Sequence, residues 1–207
     1  MLILRLTLAL ISLSFMGLQA SAQPAPQYDR SQLAVGALYS WESSDGLSKA
    51  INLGFDGQDY RFKITDLAAD GRQFDTIYGT NQHGRLVWYT YNGNTESYLP
   101  HDCSFLKARC ETQVLRNGIR VGSTVTNAHF QSGIWIHTVN SNTDGQAPSS
   151  HRVCGIYDQD SIIQVLYIIY SNDDPYWMRT TSGPNAGRSR EMLARVMAAC
   201  QNTQPIS

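Results

Sequence analysis

What the chain lacks narrows it first. Beyond its first 22 residues no apolar run is long enough to cross a bilayer, which takes about 20 residues as a helix. The most apolar stretch, Ile162–Tyr170, is nine residues long and carries Gln164 in its middle. There is no G-x-S-x-G, no H-E-x-x-H, no D-x-[DN]-x-[DN]-G and no C-x2-C pair. The sequence therefore supplies no nucleophile elbow, zinc-protease helix, EF-hand loop or zinc knuckle, and no catalytic or metal-ligating residues and no cofactor are assigned from it. Charge of one sign is also missing. Past residue 22, 15 basic residues face 17 acidic ones, which leaves no electrostatic footprint for nucleic acid and no basic cluster for anionic membranes. Asn-x-Ser/Thr sequons are absent too, which is compatible with a bacterial origin.

What is present begins with a leader. Arg5 precedes the mostly apolar run Leu6–Met16, and Ala20-Ser21-Ala22 follows. A basic start, a short apolar middle and an A-x-A ending are the marks of a secretory signal peptide over residues 1–22. The expected location is secreted or periplasmic, with no integral membrane span once the leader is removed. Taking 22 from 207 leaves 185 residues, the size of one domain. The polar stretch with Pro24 and Pro26 reads as a flexible tether over 23–34, residues 35–202 as a β-rich domain, and 203–207 as a tail.

Four cysteines in an exported chain point to two disulfides, with three possible connectivities. Cys103–Cys110 and Cys154–Cys200 are the expected pairs.

From Val35 onward, turn signals recur about every ten residues: Asp56-Gly57, Asp70-Gly71, His83-Gly84, Asn92-Gly93, Asn117-Gly118 and Gln131-Ser132-Gly133. Between them lie short β-rich runs. In the clearest, Tyr60, Phe62 and Ile64 alternate with Arg61, Lys63 and Thr65, a strand with one wet face. Ile162–Tyr170 reads as a strand covered on both faces. Asp173–Trp177 opens a loop with room for a further edge strand. Asp158 and Asp160, and Asp173 and Asp174, read as solvated turn carboxylates at opposite ends of Ile162–Tyr170. Near the C-terminus, Met192, Leu193, Val196, Met197 and Cys200 fall on one face of a helix over about Ala186–Gln201. The expected fold is mainly β: an up-and-down antiparallel meander of about nine to eleven strands, closed as a barrel or curled, with one C-terminal helix packed on it. The outline is similar to that of lipocalin-like barrels and the curled-sheet carriers of lipoproteins. No family motif accompanies that outline, so no residues are carried over from it.

Candidate function rests on polar and aromatic side chains that the hairpins bring together. If the turn after Phe130 has three residues, Asn127, His129, Trp135 and His137 share one face of a hairpin; with two residues the register shifts. Together with Trp88, these five are the expected ligand-contacting residues. They point to a non-enzymatic β-domain that binds a small-molecule or lipid ligand, or a cell-envelope component. Two other readings stand beside it: a hydrolase-like enzyme built on His101/Asp102 or on the His129/His137 hairpin, and a structural or interaction module.

Overall fold

Twelve strands follow one another as antiparallel neighbours, and the last pairs with the first. The computed structural model describes residues 26, 28–68, 70–100, 108–171 and 173–203. Its strands are β1 (Leu38–Ser43), β2 (Gly46–Phe55), β3 (Tyr60–Ala68), β4 (Gln73–Thr80), β5 (Leu86–Tyr91), β6 (Asn94–Leu99), β7 (Arg109–Arg116), β8 (Ile119–Gln131), β9 (Ile134–Thr143), β10 (Ser149–Tyr157), β11 (Ile163–Tyr170) and β12 (Tyr176–Thr180). One helix, α1 (Ser189–Asn202), follows a single 3-10 turn. The signal peptide expected at 1–22, the His101-Asp102-Cys103 segment and the last four residues lie outside the described residues.

The meander and its helix are as expected, and the sheet is a closed barrel. The strand count is twelve, above the nine to eleven anticipated, and β12 makes the difference. Its five residues, expected as an edge strand, pair with β11 through Val165↔Arg179 and with β1 through Trp41↔Thr180. An edge strand would present unpaired N–H and C=O groups; a closing strand satisfies them on both sides. Arg179 strengthens the seam by donating to the Glu42 carboxylate across it.

Alternation sorts the side chains into two environments. Along β3 and β4, Phe62, Ile64, Thr76 and Tyr78 point into the barrel. Arg61, Lys63 and Asp75 point out, and Lys63 Nζ lies 2.9 Å from Asp75 on the exposed side. The outer wall is charged there and the interior aromatic.

On the far side, the outer face of β9–β12 is apolar and is covered by α1. Ile134, Ile136, Val165 and Tyr167 form one cluster with Met192, Val196 and Cys200, and Leu193 and Met197 pack on its margin. These are the helical-face residues anticipated from their spacing. Full burial of Val196 and near-full burial of Met192 contribute about 1.5–3 kcal/mol each. The Cys154–Cys200 disulfide fixes the helix to β10, with a Cα–Cα distance of 5.8 Å. Arg152 Nη1 donates to the Cys200 carbonyl at 2.7 Å beside it. Cys110 is also disulfide-bonded, to a partner outside the described residues.

The tether expected over 23–34 needs correction within its described part. Asp29 caps the 3-10 turn Arg30–Gln32 by accepting from Ser31 N at 2.9 Å. Arg30 N donates to the Gln82 carbonyl, between β4 and β5. Tyr28 and Arg30 are 4% and 5% exposed, so this segment caps one end of the barrel. A proline-flanked polar stretch shows no periodicity when only two of its side chains act as anchors, which is why it reads as solvated chain.

Candidate functional site: the barrel interior

The barrel interior holds a cavity of about 600 Å³. Eight-stranded barrels have room for side chains or one small ligand, and diameter grows with strand number, so twelve strands leave space that side chains do not fill. The wall is built in zones. Its middle is apolar, with Trp41, Phe62, Ile64, Ile162, Ile163, Leu166 and Met178 from β1, β3, β11, β12 and the turn before β11. Trp41 is held by its Nε1, which donates to the Ile163 carbonyl at 2.8 Å. Phe62 and Tyr78 stack at 5.1 Å, an aromatic pair across neighbouring strands. Away from the cap the wall turns polar, with Thr124, Ser141 and His151.

At the capped end, Tyr28 and Arg30 enter the interior. The Tyr28 hydroxyl accepts from Trp135 Nε1 at 2.6 Å, and its ring meets Tyr157 edge-on at 6.0 Å. Burial pushes the Tyr28 phenol up to about 12, so it stays protonated and keeps its hydrogen-bonding role. Arg30 lies with its guanidinium 4.7 Å over the Phe62 ring, and its Nη2 donates to the Ser161 carbonyl at 2.9 Å. Its Nε and Nη1 are buried without a hydrogen-bond partner. Burial draws this guanidinium down from its ordinary value, and Tyr78 and Asp158 oppose that shift.

Asp158 is not the solvated turn carboxylate expected. Its Oδ1 accepts from the amides of Asp160 and Ile162 and its Oδ2 from Gln164 Nε2. It is half-buried in the β10–β11 turn, and burial raises its pKa.

The five ligand-contacting residues expected from sequence divide between the two faces of the wall. Ser132 and Gly133 alone form the β8–β9 turn, with φ of 52° and 80°. Two consecutive positive φ values make the tight hairpin turn whose twist matches the strands, and Gly133 accepts that conformation without strain. The register is then Phe130↔Trp135 and Ala128↔His137, which places Trp135 and His137 inside. Asn127 and His129 alternate with these and face out, opposite Thr138 and Ile136. The three-residue register that would have joined all four side chains does not form.

Trp88 also faces out. It lies across Gly79, where a Cβ would come 2.2 Å from its Nε1, and that nitrogen donates to Asp59 Oδ2 at 2.9 Å. The ring covers a bare stretch of backbone under the Arg61 guanidinium.

His137 sits in the wall as a neutral imidazole, its pKa drawn down to about 3 by burial, with Arg85 and His129 adding to the shift. The histidine pair invoked for hydrolysis points to opposite sides of the sheet. Sequence reading missed Tyr28, Arg30, Tyr78 and Tyr157. Tyr78 was recoverable from its alternation with Thr76 and Thr80, whereas Arg30 carried no signal beyond a lone cation ahead of the first strand. Comparison with protein-family models, with curated proteins and with solved structures finds no match to this chain.

Proposed function

We propose that this protein is an exported, non-enzymatic binding protein that holds a small apolar or lipidic ligand inside its barrel. One observation carries the reading: a closed barrel surrounds about 600 Å³ of space with a predominantly apolar and aromatic wall. That volume lies within the roughly 300–1,000 Å³ typical of small-molecule sites. Export is supported by the leader over residues 1–22 and by disulfide-bonded cysteines, which persist in oxidising compartments.

The polarity of the two faces favours a ligand carrier over a pore. A transmembrane barrel turns an apolar band to lipid and a polar wall to its lumen. Here Arg61, Lys63 and Asp75 are outside, and Phe62, Ile64 and Tyr78 are inside. No helix among the described residues is long and apolar enough to cross a membrane.

The test is native mass spectrometry of the protein purified without organic solvent or detergent, before and after solvent extraction. A co-purifying mass of a few hundred daltons that extraction removes is the expected result. Leu166→Trp, which fills the cavity from its apolar wall, should abolish that mass while the fold persists by circular dichroism. A mass that survives in Leu166→Trp would place the ligand elsewhere and end this reading.

A further inference from the structure

Resting on the carrier reading, we propose that the ligand is a monocarboxylate on an apolar chain, bound with its carboxylate on Arg30 and its chain along the apolar wall. Arg30 is 5% exposed and lines the cavity, and two of its three guanidinium nitrogens are buried without a partner. A buried guanidinium in a native protein is ordinarily paired with an acid or fully hydrogen-bonded, because an uncompensated buried charge is strongly destabilising. No carboxylate of the described residues forms an ion pair with it. Asp158, the acid closest in effect, already accepts three hydrogen bonds within its own turn. The Phe62 face, one carbonyl and the neighbouring Tyr78 hydroxyl offset the charge only in part.

The described residues thus hold a cation for which they supply no counter-ion, at the capped end of an apolar space. A ligand carboxylate supplies one by accepting end-on from Nη1 or side-on from Nε, and charge-assisted bonds of this kind are strongest where water is excluded. Arg85 also lines the cavity and forms no ion pair among the described residues, so the interior field favours an anion over a neutral or cationic head. Beyond the head, Phe62, Ile64, Ile162, Ile163 and Met178 continue the wall as a surface for methylene groups. A cation at the closed end and an apolar path leading away from it set the ligand's direction, head towards the cap.

The experiment is displacement of 11-(dansylamino)undecanoic acid from the full mature chain, read by dansyl emission. Palmitate and hexadecanol serve as competitors of equal chain length, with hexadecyl phosphate as a third. Palmitate should displace the probe at a concentration at least tenfold below that of hexadecanol, and Arg30→Gln should remove the difference. Equal potency of acid and alcohol on the native protein would overturn the carboxylate seat while leaving the carrier reading intact. A preference for hexadecyl phosphate over palmitate would overturn it likewise. Failure of the probe and of every competitor to bind would sink the carrier reading itself. The acid–alcohol comparison needs no variant, so it decides the matter even if Arg30→Gln fails to fold.

Discussion

Replacing Cys154 and Cys200 together by alanine should remove a large part of the barrel's reserve of stability without changing its strands. The two residues are 46 apart in sequence, so the bond closes a loop of that length in the unfolded chain. The chain-entropy treatment gives a contribution of about 4 kcal/mol for such a loop. Typical domains are stable by about 5–15 kcal/mol, so the double variant should remain folded near room temperature, but narrowly. For a domain of this size, about 4 kcal/mol corresponds to a fall in Tm of about 8–16 °C. In urea it corresponds to a midpoint lower by about 2 M, with a somewhat steeper slope because the unfolded chain is no longer cross-linked there. Equilibrium unfolding followed by far-UV circular dichroism measures this directly. Substitution is preferable to reduction, because a reductant would also open the disulfide at Cys110. Amide exchange should locate the loss: protection in α1 should fall well before protection in β8 or β9, since non-covalent packing and a few hydrogen bonds would then hold the helix. A loss below about 1 kcal/mol would refute the reasoning, because the unfolded chain would then be as restricted without the bond as with it.

Three other perturbations test separate parts of the structure. Gly79→Ala must drive Trp88 off the strand, because its Cβ would sit 2.2 Å from the indole nitrogen. A cost of about 1–3 kcal/mol and a red-shifted tryptophan emission are expected, and unchanged emission would contradict the placement. Tyr28→Phe removes the acceptor of the buried Trp135 N–H and should cost about 1–3 kcal/mol in urea unfolding; a neutral result would show that the cap is not anchored there. His137 ties stability to acidity. Its pKa is about 3 when folded, against an ordinary value of 6.5, so the unfolded chain binds the extra proton as pH falls. Its contribution is complete above about pH 6.5 and is lost towards about pH 3, at a rate approaching 1.4 kcal/mol per pH unit. His137→Leu should flatten that part of the stability–pH profile, and an unaltered slope would mean that other groups carry it.

The sheet was legible because its signals are local. Alternation in Tyr60–Thr65, the Asn117-Gly118 turn and the spacing from Met192 to Cys200 each specify an element without reference to the rest of the chain. The site was less legible because it depends on register and on isolated anchors. Whether His129 joins Trp135 turns on one residue of loop length, and the two-residue turn at Ser132-Gly133 sends it to the opposite face. Trp88 looked like a binding aromatic because sequence cannot show that Gly79 lies beneath it. Arg30 was invisible for the opposite reason: its meaning comes from Ser161, 131 positions away, and from the lack of an ion-pair partner among the described residues.

The seam between β1 and β12 also governs when the interior comes into being. Trp41 meets Thr180 although the two stand 139 positions apart in the chain, so the contact that closes the barrel is among the most distant in sequence. Loop closure over such a span must precede any gain from it, which makes ring closure a late event in folding. Eleven strands can be laid down as successive hairpins before the twelfth is available. The twelfth, with the helix behind it, arrives only at the end. Until then the aromatic wall is an open curved sheet, exposed to solvent and to whatever apolar molecules are nearby. A ligand can be taken up at that moment or after the ring has closed, and refolding with and without it would separate those two histories.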